Sequence, residues 1–122
     1  MKCSIVFWAC MLFPFTVILA QQGDCSTARI LCNKQSFVID KVPDAGLSSN
    51  ELGDGLCFSP PFPESNVVWL KWEIAEGGTL GFSLIPLYEQ DDLDFVLFRL
   101  TGALSDCEQR TELRCMVAGK IL

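Results

Sequence analysis

The chain has 122 residues, half of them apolar, with 15 acidic and 9 basic side chains, no histidine and a formal charge of −6. This length suits one domain rather than two. The acidic balance argues against nucleic acid and anionic lipid as partners, because both attract clustered lysine and arginine, and the lack of histidine excludes Ser-His-Asp and Cys-His catalysis.

Residues 1–20 predict a cleaved secretion signal. Lys2 supplies a short positive region, and the apolar, uncharged run that follows ends at Ala20. A run of this length also suffices for a membrane anchor, but Pro14 within it and the small residue at its end favour cleavage. We therefore expect a mature domain, residues 21–122, that is secreted or held at the cell surface without further membrane contact.

Five of the seven cysteines lie in the predicted mature domain. Cysteines of a small domain in an oxidising compartment usually form disulfides, and an odd number leaves one free, bonded to another chain or short of a partner. Proximity along the sequence favours the pairs Cys25–Cys32 and Cys107–Cys115, which leaves Cys57. The chain has no C-x-x-C motif and no histidine, so a zinc-finger or thioredoxin-like site lacks support.

Apolar residues of the mature chain occur in short alternating runs between turn-forming residues, which indicates β-strands. The predicted strands are 36–39, 67–74, 79–87, 95–100 and 113–117, and residues 41–64 form a long irregular connection. Short turns between consecutive strands imply antiparallel neighbours, and a buried sheet face requires a covering layer. The predicted fold is therefore all-β, an antiparallel β-sandwich.

The strand predicted at 67–74 carries two tryptophans on opposite faces. Trp72 alternates with apolar residues and is assigned to the core, whereas Trp69 shares a face with the polar Lys71. Trp69 therefore has two interpretations. It is either an exposed ring that contacts a ligand such as a sugar, or a ring covered by the proline-rich residues 60–63, which we favour. It is kept as a candidate ligand-binding residue.

Residues 89–94 place four carboxylates within six positions, between two predicted strands. Clustered oxygen ligands suit Ca²⁺, and Asp92 and Asp94 project to one side if this stretch is extended. Asp91, Asp92 and Asp94 are therefore candidate calcium ligands. The alternative is a solvated acidic turn without an ion, because the loop lacks EF-hand spacing. No other cofactor is indicated.

Seven motifs follow one another along most of the mature chain. They are Asp24-Cys25, Ile30-Leu31-Cys32, Cys57, Asn66-Val67-Val68-Trp69-Leu70-Lys71-Trp72, Gly78-Thr79-Leu80-Gly81-Phe82-Ser83-Leu84-Ile85-Pro86, Asp92-Leu93-Asp94-Phe95-Val96-Leu97-Phe98 and Arg114-Cys115. Their order resembles the N-terminal β-sandwich module of large secreted, surface-associated proteins of gliding bacteria. Such proteins often carry PKD-like repeats and a C-terminal sorting domain of the type IX secretion system.

The resemblance implies a jelly-roll fold related to CUB and pre-peptidase C-terminal domains. Some members of that wider group bind calcium through acidic loops, which is consistent with a role for Asp92 and Asp94. The family continues beyond its Arg-Cys strand into further strands and domains, whereas this sequence ends at Leu122. The resemblance therefore implies that the sandwich is incomplete at its C-terminus and that the chain is a fragment of a longer protein.

The expected function is that of a non-catalytic binding or adhesion module, calcium-stabilised if the acidic loop binds an ion, with extracellular polysaccharide or protein as its partner. Paired carboxylates can hydrolyse glycosidic bonds, but acidic turns are far commoner, and we expect no enzyme. Two alternatives stay open: an accessory domain of a secreted hydrolase, and a truncated product without a function of its own.

Overall fold

A computed structural model describes residues 22–48, 50–53, 57–58 and 64–117. The predicted signal, residues 1–20, and the proline-rich residues 60–63 lie outside the described residues. The described part contains a short 3-10 helix and four strands, so the all-β class is confirmed. No helix within the described ranges has the length and apolar character needed to cross a bilayer.

The strands form two separate two-stranded sheets. β1 (Arg29–Ile30) pairs in parallel with β2 (Leu70–Lys71). β3 (Phe95–Leu100) pairs antiparallel with β4 (Arg110–Met116). Over the residues that the structure describes, these sheets are too small to show a packed sandwich, which stays a prediction.

The β3–β4 hairpin agrees best with the alternation pattern. β3 coincides with the strand predicted at 95–100, and β4 covers most of the one predicted at 113–117 but begins earlier, at Arg110. Where the two strands meet the intervening loop, the Thr101 N–H donates to the Gln109 carbonyl at 3.0 Å. Short-range sequence signals therefore suffice for this antiparallel pair.

The parallel pair fixes the start of the domain to its middle. The Arg29 N–H donates to the Trp69 carbonyl at 3.0 Å, and the Leu31 N–H donates to the Lys71 carbonyl at 2.7 Å. The Trp69 N–H in turn donates to the Gln22 carbonyl at 2.8 Å. The segment around Trp69 thus has three backbone hydrogen bonds to the start of the domain despite its short ladder.

Two predicted strands are wrong as hydrogen-bonded elements, and a third is shorter. Residues 36–39 and 79–87 form no ladder within the described chain, and the strand predicted at 67–74 is paired only over β2. Residues 79–86 nevertheless contain no turn or bend. An alternating pattern favours an extended backbone, but a strand also requires a neighbouring edge with which to pair.

Burial is concentrated around Cys25, which is 1% exposed. The other strongly buried side chains among the described residues are charged: Asp24, Glu64 and Lys71. Burying charge is costly unless the group is paired or hydrogen-bonded. The centre of the structure is therefore stabilised by specific polar contacts and a disulfide as well as by apolar packing.

Gly46 lies directly against one of these buried charges. A Cβ on residue 46 would overlap the Asp24 carboxylate. We expect Gly46→Ala to lower the free energy of unfolding by about 1–3 kcal/mol, because overpacking forces neighbouring atoms to move. Urea unfolding measures this change. Gly78→Ala is the matched control, since an added Cβ there meets nothing within 4 Å. Equal losses in the two variants would contradict the close approach.

Candidate functional site

Two disulfides join distant parts of the chain. Cys25 bonds Cys107 across 82 positions, and Cys57 bonds Cys115 across 58. The predicted pairs Cys25–Cys32 and Cys107–Cys115 are therefore wrong, because the fold, and not proximity along the sequence, brings the sulfurs together. Cys32 is also disulfide-bonded, which excludes a free thiol at this position.

A polar cluster surrounds the Cys25–Cys107 bond. Its members are Asp24, Glu51, Glu64, Lys71 and Arg110. Asp24 uses both carboxylate oxygens: Oδ2 accepts the Leu47 N–H at 3.0 Å and Oδ1 accepts the Ser48 N–H at 2.8 Å. Asp24 thereby fixes the chain on either side of Leu47, in a region without regular secondary structure.

The two glutamates of the polar cluster accept hydrogen bonds that link neighbouring segments of the chain. Glu51 Oε2 accepts the Cys25 N–H at 2.8 Å. Glu64 Oε2 accepts the Glu51 N–H at 2.9 Å, and its Oε1 accepts the indole N–H of Trp69 at 3.3 Å. These contacts join the disulfide region to the segment that contains β2.

The two cations of the polar cluster donate hydrogen bonds to three backbone carbonyls, two of which lie at or near Cys107. The Lys71 ammonium donates to the Leu104 carbonyl and lies 3.0 Å from Cys107 Sγ. The Arg110 guanidinium donates to the carbonyls of Cys107 and Glu51. The polar cluster therefore connects four separate stretches of chain, which is a structural role.

The balance of burial and charge shifts two pKa values in the polar cluster. Burial raises the pKa of Glu51, and the Glu64 and Asp24 carboxylates add to this effect, while the Cys25 N–H and Arg110 oppose it. Burial lowers the pKa of Lys71, and the Glu51 and Asp106 carboxylates oppose that shift. Folding thus disfavours the charged form of both side chains.

We expect Glu51→Gln to remove one pH-dependent contribution to stability. Because the pKa of Glu51 is raised above its usual 4.5, the folded protein keeps a proton that the unfolded chain has already released. This contribution therefore falls as pH rises from 4.5 through the raised value. Urea unfolding of both proteins across acidic to neutral pH should show the variant gaining relative to the parent as pH rises.

The matched control for that measurement is Glu76→Gln, which makes the same substitution at an exposed position outside the polar cluster. A pH profile of Glu51→Gln that runs parallel to that of the parent would show that burial does not perturb the Glu51 carboxyl.

Trp69 lies in a packed environment. Its ring stacks on Phe98 at a centroid distance of 5.8 Å, and the Arg110 guanidinium lies 5.9 Å from its centroid. The face that Trp69 shares with Lys71 therefore points towards the polar cluster, and Lys71 is itself buried. One side of the indole is occupied by Phe98, and a ligand-binding role for Trp69 stays a prediction.

The three candidate calcium ligands lie on the surface. Asp91, Asp92 and Asp94 are all exposed, and the Asp91 N–H closes a turn onto the Tyr88 carbonyl at 3.0 Å. Within the described ranges, they do not supply a group of three ligand atoms close enough together to hold a metal ion. The structure thus places the three residues in one exposed loop but does not bring their carboxylate oxygens together. Calcium binding stays a prediction.

A different set of ligand-type atoms does converge. Cys57, Glu112 and Cys115 each place one such atom within 4.8 Å of the others. The two cysteines, however, are bonded to each other. Metals bind the thiolate form of cysteine, so this group is not a metal site while the disulfide is intact.

The most exposed apolar part of the described chain is residues 79–88, which we call the apolar segment. Its large side chains are between 43% and 81% exposed: Leu80, Phe82, Leu84, Ile85, Leu87 and Tyr88. Phe82 contacts Phe95 of β3 edge to face, with ring centroids 5.5 Å apart. Leu80, Phe82 and Leu84 are exposed to a similar degree, as expected for one face of an extended chain.

No sequence pattern predicts the roles of Glu51, Glu64 and Arg110. The two glutamates belong to the connection predicted to be irregular, and no motif marks the arginine. One usable signal was present, because Lys71 is the sole basic residue between Lys41 and Arg99. A single cation in an acidic stretch, next to tryptophan, indicates a residue with a specific partner.

Comparisons of the chain with protein-family models, with curated proteins and with solved structures find no match in any of the three.

Proposed function

We propose that this chain is a non-catalytic binding module of a secreted or cell-surface protein. The observation that carries the proposal is the apolar segment, whose large side chains remain exposed. Contiguous exposed apolar surface is unusual in a protein that acts alone and commonly marks an interaction site. The two long-range disulfides are compatible with an oxidising compartment.

The proposed architecture is an antiparallel sandwich of the jelly-roll type. It is supported by the all-β character of the described residues, by the β3–β4 hairpin and by the order of sequence motifs. The disulfides and the polar cluster stabilise the interior, which leaves surface segments available for recognition. The proposed partners are polysaccharides or proteins outside the cell.

Binding is tested with the full chain, expressed with its own N-terminal segment and purified as the exported product. Glycan arrays and panels of extracellular proteins identify partners, and calorimetry with calcium or with a chelator measures affinity. We expect saturable binding to at least one partner, lost when the same protein is reduced and alkylated. The absence of binding in every format, with and without calcium, would leave only a spacer role.

A further inference from the structure

The apolar segment has an available backbone as well as exposed side chains. Residues 79–86 run without a turn or bend, and within the described chain residues 79–87 form no backbone–backbone hydrogen bond. An extended backbone with free N–H and C=O groups can accept an additional strand. Side chains on alternate positions would then determine which strand is accepted.

The charge around the apolar segment restricts the partner. Residues 73–98 contain no lysine or arginine and six acidic residues: Glu73, Glu76, Glu89, Asp91, Asp92 and Asp94. All six are exposed. A second copy of this chain would bring two such acidic stretches together, which electrostatic repulsion disfavours. Charge complementarity therefore favours a basic partner.

We propose that the apolar segment is a docking strand for an extended segment of a partner protein in which apolar residues alternate with lysine or arginine. The inference rests on the proposed binding function and selects protein over polysaccharide. The partner's apolar side chains would cover Leu80, Leu84 and their neighbours. Its basic side chains would lie near the acidic residues that flank the apolar segment, and its backbone would supply the missing hydrogen bonds.

The test uses the exported product and a synthetic peptide of alternating lysine and isoleucine, with binding measured by fluorescence anisotropy. We expect saturable binding that weakens as salt is added, since screening reduces attraction between exposed charges. A peptide with glutamate in place of lysine should not bind. Equal binding of the acidic peptide would overturn the proposal.

Two matched substitutions locate the site. Ile85, 81% exposed, lies in the apolar segment, and Leu47, 94% exposed, lies outside it. Ile85→Lys should weaken peptide binding by about tenfold or more, equivalent to about 1.4 kcal/mol, because it removes apolar contact area and repels a basic strand. Leu47→Lys makes the same chemical change elsewhere and should leave affinity unchanged. Equal effects of the two substitutions would overturn the proposed location.

The outcome also separates this inference from the proposed function. Binding to a glycan or to another protein without binding to the basic peptide would retain the binding function and overturn the docking strand. Sedimentation that shows a dimer dissolved by Ile85→Lys would assign the apolar segment to self-association and overturn the basic partner. Absence of binding in all formats would overturn both.

Discussion

Replacing Cys25 and Cys107 together by alanine should lower the free energy of unfolding by about 4–5 kcal/mol, the loss of unfolded-state restraint calculated for a loop of this length. The bond spans 82 positions, and Cys25 is the most buried apolar residue of the described chain. The double substitution also removes the Cys107 sulfur that the Lys71 ammonium contacts. Guanidinium unfolding followed by circular dichroism measures the loss.

The matched control is the double replacement of Cys57 and Cys115. The loop closed by that bond is only slightly shorter, and its calculated contribution to stability is about 4 kcal/mol. Both residues, however, are only half-buried. We therefore expect a smaller loss than for the first pair. An equal or greater loss would show that burial around Cys25 adds nothing to the restraint.

Asp24→Ala should cost about 3 kcal/mol, since hydrogen bonds to a charged group contribute about 1.5–3 kcal/mol each and are not fully additive. The Asp24 carboxylate is 4% exposed and accepts two backbone N–H groups, from Leu47 and Ser48. Removing it leaves both donors without their partner beside the buried disulfide. Urea unfolding at neutral pH measures the change.

Two further variants provide comparisons for the loss of stability in Asp24→Ala. Asp24→Asn keeps one acceptor oxygen at the same place and should lose roughly half as much as alanine, because one N–H retains its partner. Asp92→Ala removes an exposed carboxylate and should change stability by less than about 0.5 kcal/mol. If Asp24→Ala is no worse than Asp92→Ala, the two hydrogen bonds do not hold the chain around Leu47.

Local patterns predicted the hairpin and failed for the strands that depend on distant partners. Residues 95–100 combine aromatic and β-branched side chains with turn-forming residues on both sides, so β3 is visible in the sequence. β1 is two residues long and pairs with β2 across a long irregular connection, which no local pattern indicates. Residues 79–87 show the opposite case, because their alternation predicts a strand for which the described chain supplies no pairing edge.

The candidate site was predicted still less completely. The exposed acidic loop was located correctly, since charge alone places Asp91 and Asp92 at the surface. Alternation, however, predicts only that Lys71 shares a face with Trp69, and it does not indicate which residues lie opposite that face. The acceptors of Lys71 are at Leu104 and Cys107, and only the completed fold brings them within reach.

The parallel pairing of β1 with β2, together with the bond from Cys25 to Cys107, sets an order on folding. The first elements of the domain cannot complete their contacts until residues made much later are present. Closing such long loops is entropically unfavourable and slows folding. We therefore expect the nascent polypeptide to lack its native contacts until most of the domain has been synthesised, and the proposed export could thread such an unfolded chain through a narrow translocation pore.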